Sequence, residues 1–172
     1  AVRPDTHLLM LNAYYSDDAS AAEHKRLQQA IARHGLQKHV TLITDFLPAS
    51  AMSNHLALSD LVVFPYQNTD ESASAAVRMA IAAERPIAVT PIPIFEELAD
   101  ITTPMPGITP AEVALGVLDQ LTDLDSEARR RETIEAIHAH VVRHRAEMLS
   151  ARLRGCISGC VRQLSASPSS RD

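Results

Sequence analysis

The segment from Leu61 to Leu98 narrows most sharply what this chain can fold into. Leu61-Val62-Val63-Phe64 is a β-rich apolar run stopped by Pro65. A polar loop ending in Asp70-Glu71-Ser72 opens into the alanine-rich run Ala73–Ala83, and Pro86 closes that run before Ile87-Ala88-Val89-Thr90. The order predicts strand, loop, helix, strand, followed by Pro91-Ile92-Pro93 and a brief helix at Ile94–Leu98. A strand feeding a helix through such a loop gathers backbone N–H groups at one point. The first amides of a helix lack intrahelical acceptors and its peptide dipoles add there, so an anion can be held. The small residues Ser72, Ala73, Ser74 and Ala75 would let a ligand approach closely. A βα turn of this kind also serves as a plain connection, and the pattern alone does not separate the two.

The same alternation runs through the rest of the chain. His7–Leu11 is almost continuously apolar, which suits a strand covered on both faces. A loop from Asn12 to Asp18 leads to a helix expected to begin near Ser20, with Glu23 three residues on as a capping box and Gly35 as its stop. Val40–Thr44 reads as a β-branched strand that leaves through Asp45-Phe46-Leu47-Pro48, and a short helix over Ala49–Leu58 returns the chain to the central segment. Strands separated in this way by helices predict an α/β fold: a Rossmann-like parallel sheet flanked by helices, with ligands at the carboxyl edge. Ile101–Pro110 is mostly loop, with room for a short edge strand. Thr109-Pro110-Ala111-Glu112 marks a capped helix start running to about Leu121, and one long helix is expected over Ser126–Leu164 as a C-terminal extension. The expected organisation is one domain over residues 1–164 and a polar, disordered tail over 165–172.

The chain has 172 residues, of which 46% are hydrophobic and 22% charged, enough for one globular core. A net charge of −5 with a pI near 5.9 argues against a nucleic-acid groove or adhesion to anionic lipid. No apolar run approaches the roughly 18 residues needed to cross a bilayer, and no signal peptide is visible, so a cytoplasmic location is expected. Cys156 and Cys160 lie four apart in a helical stretch, a spacing poorly suited to a disulfide, and are expected as buried reduced thiols. His138, His140 and His144 cluster, but the sequence offers no adjacent carboxylate to orient the rings, and they read as a helix face rather than a metal site. Neither a Gly-x-Ser-x-Gly elbow nor a glycine-rich phosphate loop is present, which weakens a nucleophilic-serine reading of Ser72 or Ser74.

The central segment resembles the donor-binding, C-terminal half of retaining GT-B-type glycosyltransferases (group 1, family 4-like), the large group that builds bacterial surface polysaccharides. Ser59-Asp60-Leu61-Val62-Val63-Phe64-Pro65 resembles that group's first strand of the motif, Glu71 its first glutamate, and Arg85-Pro86-Ile87-Ala88-Val89-Thr90 its Gly-Arg/Lys-Pro-Val-Val strand. Gly35-Leu36 with His39–Leu42, Phe46-Leu47-Pro48, and the stretch from His140 through Leu153 are similar to flanking parts of the same arrangement. The resemblance implies transfer of a sugar from a nucleotide-sugar to a glycan or lipid-linked acceptor with retention, with the nucleotide-sugar as substrate and with no cofactor or metal. It implies Glu71 as the catalytic-site residue on the donor sugar's hydroxyls and Ser72, Ala73, Ser74 and Ala75 around the pyrophosphate. It implies Thr44, Asp45, Phe46 and Leu47 around the base, and Met79 at the ribose, where the family has a second glutamate. The implied partner is an upstream, acceptor-binding N-terminal domain of the same parent chain. That domain would carry the first strand and helix, the basic pair for the pyrophosphate and any contact with the inner face of the membrane, and the fragment without it would be inactive. The alternative is a non-catalytic α/β module, either a degenerate glycosyltransferase-like domain or an interaction domain of a surface-polysaccharide assembly, and Met79 is its main support. A phosphate-ligand binding domain of the flavodoxin-like kind is a third reading.

Overall fold

The computed structural model describes residues 3–14, 18–69, 74–145, 149–151, 153–154 and 156–158. The chain divides into two compact units, residues 1–52 and 53–172. Both are α/β, and every strand pair among the described residues is parallel, so the Rossmann-like expectation of parallel sheets flanked by helices holds.

In the first unit β1 (Leu8–Leu11) pairs with β2 (Val40–Ile43), Leu8 opposite Val40 and Leu11 opposite Ile43, across the helix α1 (Asp18–Arg33). Tyr14 N–H donates to the Thr44 carbonyl at 2.7 Å, so pairing continues past the strand ends. Gly35 takes φ +64 beyond α1 while Leu36 N–H reaches back to the Ile31 carbonyl at 2.9 Å, the closed C-terminal turn that glycine allows at low cost. The helix opens at Asp18, two residues ahead of the predicted start. Ser20 therefore lies inside the first turn, and the Glu23 carboxylate is taken by Arg26 in a two-pronged contact (2.6 and 2.7 Å) instead of a capping box. β1 is not covered on both faces: Leu8 is 51% exposed and none of the described residues of this unit is buried.

The chain passes into the second unit within α2 (Ala49–Leu58), which has the predicted bounds. There the order is β3 (Val62–Phe64), α3 (Ala75–Ala82), β4 (Ile87–Val89), a 3-10 turn (Pro93–Leu98), β5 (Thr103–Pro104), α4 (Pro110–Asp123) and α5 (Glu127–Arg143). The strands lie in the order β3-β4-β5, with Val62 opposite Ile87, Phe64 opposite Val89 and Ala88 opposite Thr103. Ile87, Ala88 and Val89 are 2%, 0% and 3% exposed, as a central strand covered on both faces must be. Also buried in this unit are Val77 and Ala80 of α3, Phe95 and Leu98 of the 3-10 turn, Met105, and Ile137 of α5.

The predicted helix over Ser126–Leu164 is not continuous. α5 ends at Arg143, where His144 takes φ −105 and ψ 10 and its ring Nδ1–H donates to the His140 carbonyl at 2.9 Å. A side chain that competes for the backbone acceptor favours an end to the helix. Described residues from Leu149 to Ser158 are again helical, and Cys156 there is exposed, contrary to the expected buried thiol. Cys160 and the tail 165–172 lie outside the described residues.

α4 starts as predicted. Thr109 caps it, Glu112 N–H donates to Thr109 Oγ1 (3.4 Å), and the Glu112 carboxylate accepts from the Thr109 hydroxyl (2.6 Å) and amide (2.9 Å). The Thr109 hydroxyl first, then its amide, hold the Glu112 carboxyl below the ordinary carboxylate range. Because the folded-state pKa is the lower one, this capping contact stabilises above the ordinary glutamate value of about 4.3 and is lost as pH falls through the folded value. Glu112→Gln, which keeps the capping geometry without a charge, should flatten the fall in thermal midpoint that the unaltered protein shows below about pH 4.3. Gly116 lies in mid-helix, where a Cβ would come 2.7 Å from Met105 Cγ, 2.9 Å from Met105 Cβ and 2.9 Å from Pro106 Cδ. Gly116→Ala should therefore destabilise by about 1–3 kcal/mol in denaturant unfolding, despite alanine's better helix propensity.

Candidate functional site

At the carboxyl end of β3 the chain leaves through Pro65 and Tyr66, and at the carboxyl end of β4 it leaves through Thr90. Thr90 is fully buried. Its hydroxyl donates to the Tyr66 carbonyl at 2.5 Å and lies 3.4 Å from that of Phe64, while its amide donates to the Phe64 carbonyl at 3.2 Å. The two strand ends are thereby tied together one residue past the ladder. The Tyr66 ring meets Phe64 edge-on at 6.1 Å and Phe95 in a tilted contact at 5.4 Å. Its phenolic oxygen lies 3.2 Å from the hydroxyl of Ser74.

Ser74 is the N-cap of α3. It has extended backbone (φ −97, ψ 118), is 6% exposed, and its Oγ accepts from Val77 N–H at 3.4 Å. The serine frees itself from helical geometry in order to satisfy one of the amides that the helix start leaves unpaired. The next two residues, Ala75 and Ala76, are exposed, and among the described residues nothing accepts from their amides. This point has partial positive charge, at the edge of the sheet where βα loops gather.

Of the residues predicted here, Ser74 and Ala75 are at this helix start, and Met79 lies one turn further on, half-buried. Glu71, Ser72 and Ala73 lie outside the described residues. Arg78, the cation nearest in sequence to the helix start, is engaged by Glu97 at 2.8 Å in an exposed pair. In the first unit Thr44 lines an open cleft of about 280 Å³ together with Asn12, Tyr14, Glu23 and His24, whereas Asp45, Phe46 and Leu47 are not among its lining residues. The His24 ring stands edge-on to Tyr14 at 6.0 Å, and its Nδ1 is buried with no partner among the described residues. Phe46 is 79% exposed.

Sequence reasoning missed Tyr66, Thr90 and His24. For the first two a signal existed: each strand is followed within two residues by a hydroxyl side chain, and parallel neighbours bring such positions together. The histidine cluster also needs correction. Glu84 Oε2 lies 2.9 Å from His138 Nδ1, and Asp100 lies 3.6 Å from His140 Nδ1 and 3.5 Å from Arg143, so carboxylates from distant sequence do face these rings. Among the described residues no three His, Cys, Asp or Glu side chains converge as metal ligands.

No family model and no curated protein matches the sequence. Among solved structures the chain is similar to a sucrose-phosphate synthase from Thermosynechococcus elongatus, with 15% identity and a TM-score of 0.65 over 96% of this chain. The fold is GT-B-like. At that identity the likeness concerns fold alone, and this chain spans 40% of the length of that structure.

Between α3 and β4, Glu84 is the one non-glycine residue with positive φ (+53) among the described residues. The backbone takes the conformation that glycine adopts freely, and the Glu84 side chain reaches His138. Glu84→Gly and Glu84→Ala both delete that contact, but only glycine suits the backbone. The glycine variant should be the more stable of the two by about 1 kcal/mol in denaturant unfolding, and equal stability would show that the left-handed turn carries no strain.

Proposed function

We propose that this chain is the donor-binding half of a glycosyltransferase. It would hold a nucleotide-sugar while the sugar passes, with retention, to a glycan or lipid-linked acceptor in bacterial surface-polysaccharide synthesis. The observation that carries the reading is the start of α3: a buried N-cap serine followed by two exposed alanines whose amides have no acceptor among the described residues, at the carboxyl edge of a parallel sheet in a GT-B-like fold. The similarity in fold to a sucrose-phosphate synthase supports the same class of chemistry. The amides of Ser74 and Ala75 and the Ser74 hydroxyl would take the diphosphate, with Ser72 and Ala73 completing the turn. Glu71 would take the sugar's hydroxyls, and Thr44 with Asp45–Leu47 would take the base. Fixed amides aimed at the departing diphosphate stabilise the charge that develops as the glycosidic bond breaks, so no cofactor is required in this reading. Acceptor binding and the remaining positive charge would come from a further, N-terminal domain of the parent chain, together with any contact at the cytoplasmic face of the membrane.

A second reading has a specific residue in its favour. Met79 stands where the family's ribose-binding glutamate would be, and a thioether is a poor hydrogen-bond acceptor, which suits a non-catalytic glycosyltransferase-like module.

Titration calorimetry of UDP-, GDP- and dTDP-sugars into the full-length protein tests both. One of the three should bind, and Glu71→Ala or Ser74→Ala should each weaken it by roughly tenfold or more, the usual cost of a hydrogen bond to a charged group. Absence of heat with all three, or affinity untouched by both substitutions, would overturn the donor-site reading. Binding without sugar transfer to any acceptor would favour the second.

A further inference from the structure

The donor-site reading gives Ser74 a role as a hydrogen-bond donor, and two contacts of its hydroxyl bear on how it is oriented. A serine hydroxyl has two acceptor lone pairs and one proton. Val77 N–H occupies one lone pair of Ser74 Oγ, at 3.4 Å, and the Tyr66 hydroxyl, 3.2 Å away, is placed to occupy the other. When Tyr66 donates, Ser74 has only its proton left to give, and the partner it can add is an acceptor. An anionic phosphoryl oxygen is the strongest acceptor that such a group meets.

Tyr66 is held for this task from three sides. The buried Thr90 hydroxyl donates to its carbonyl at 2.5 Å, and Phe64 and Phe95 flank its ring. Thr90 has one proton, so the shorter contact, to Tyr66 rather than to Phe64 at 3.4 Å, receives it. These four residues come from the two strand ends and from the 3-10 turn, so packing of the sheet fixes the phenol before any ligand arrives. The geometry points to Tyr66 as a positioning residue, set by Thr90, that turns the Ser74 hydroxyl into a proton donor for a phosphoryl oxygen of the diphosphate. This rests on the donor-site reading.

A double-mutant cycle on ligand affinity tests it. UDP, GDP, dTDP and inorganic pyrophosphate are titrated into the full-length protein and into Tyr66→Phe, Ser74→Ala and the double variant. Tyr66→Phe should weaken binding about three- to tenfold, the range of one neutral hydrogen bond. In the Ser74→Ala background the same change should have no further effect, a non-additivity that a general loosening of the fold would not produce. If Tyr66→Phe does not fold, Thr90→Val, which is close to isosteric and releases the Tyr66 carbonyl, is read in the same cycle with the same expectation. Unchanged affinity in the single variant, or an equal loss in both backgrounds, would overturn the inference. Failure of the unaltered protein to bind any of the four probes would overturn the donor site itself and this role with it, an outcome distinct from binding that ignores Tyr66.

Discussion

Burial of β4 on both faces is the constraint on which the second unit depends. Ile87, Ala88 and Val89 are almost fully out of water, and each of the larger two gains about 1.5–3 kcal/mol from that burial. A strand so enclosed needs a neighbour on each edge to satisfy its backbone, and β3 and β5 supply them. It also needs apolar cover on each face; α4 packs against it, and Val77, Ala80, Phe95 and Ile137 are buried in the same unit. Where β4 ends, Thr90 is still buried, so its hydroxyl must find an acceptor, and the carbonyl that it takes belongs to Tyr66. The polar arrangement around the start of α3 is thus a consequence of apolar packing one residue earlier.

The same logic reaches the far end of α3. The turn from α3 into β4 is tight enough to force Glu84 into positive φ, and the helix α5 that packs against α3 brings His138 to its side chain. Asp100, after the 3-10 turn, faces His140 and Arg143 in the same way. These are exposed or partly exposed contacts of small energy. Ile137, fully buried one residue away, is what anchors α5, and the polar pairs follow from its placement.

How much could be read beforehand varied with how local the cause was. α2, β4 and the Thr109 start of α4 were legible to within a residue, because alanine-rich composition, β-branched runs between prolines and a Thr-Pro-x-Glu cap act over a few positions. Errors arose where an alternative partner was available. Glu23 satisfies Arg26 rather than a cap, and His144 bonds to the His140 carbonyl where an unbroken helix was expected. The exposure of Leu8 and of Cys156 could not be read either, since an apolar or thiol side chain states a preference for burial but does not supply the surface that would cover it.

The candidate site divides along the same line. The strand, the N-cap serine and the helix each follow from residues close together in sequence, because backbone propensity and capping are short-range effects. The meeting of Tyr66, Ser74, Thr90 and Phe95 is not written there. It depends on β3 and β4 pairing in one register, Phe64 opposite Val89, and a slip of one residue would turn the side chains of the shifted strand to the other face and move Thr90 away from the Tyr66 carbonyl.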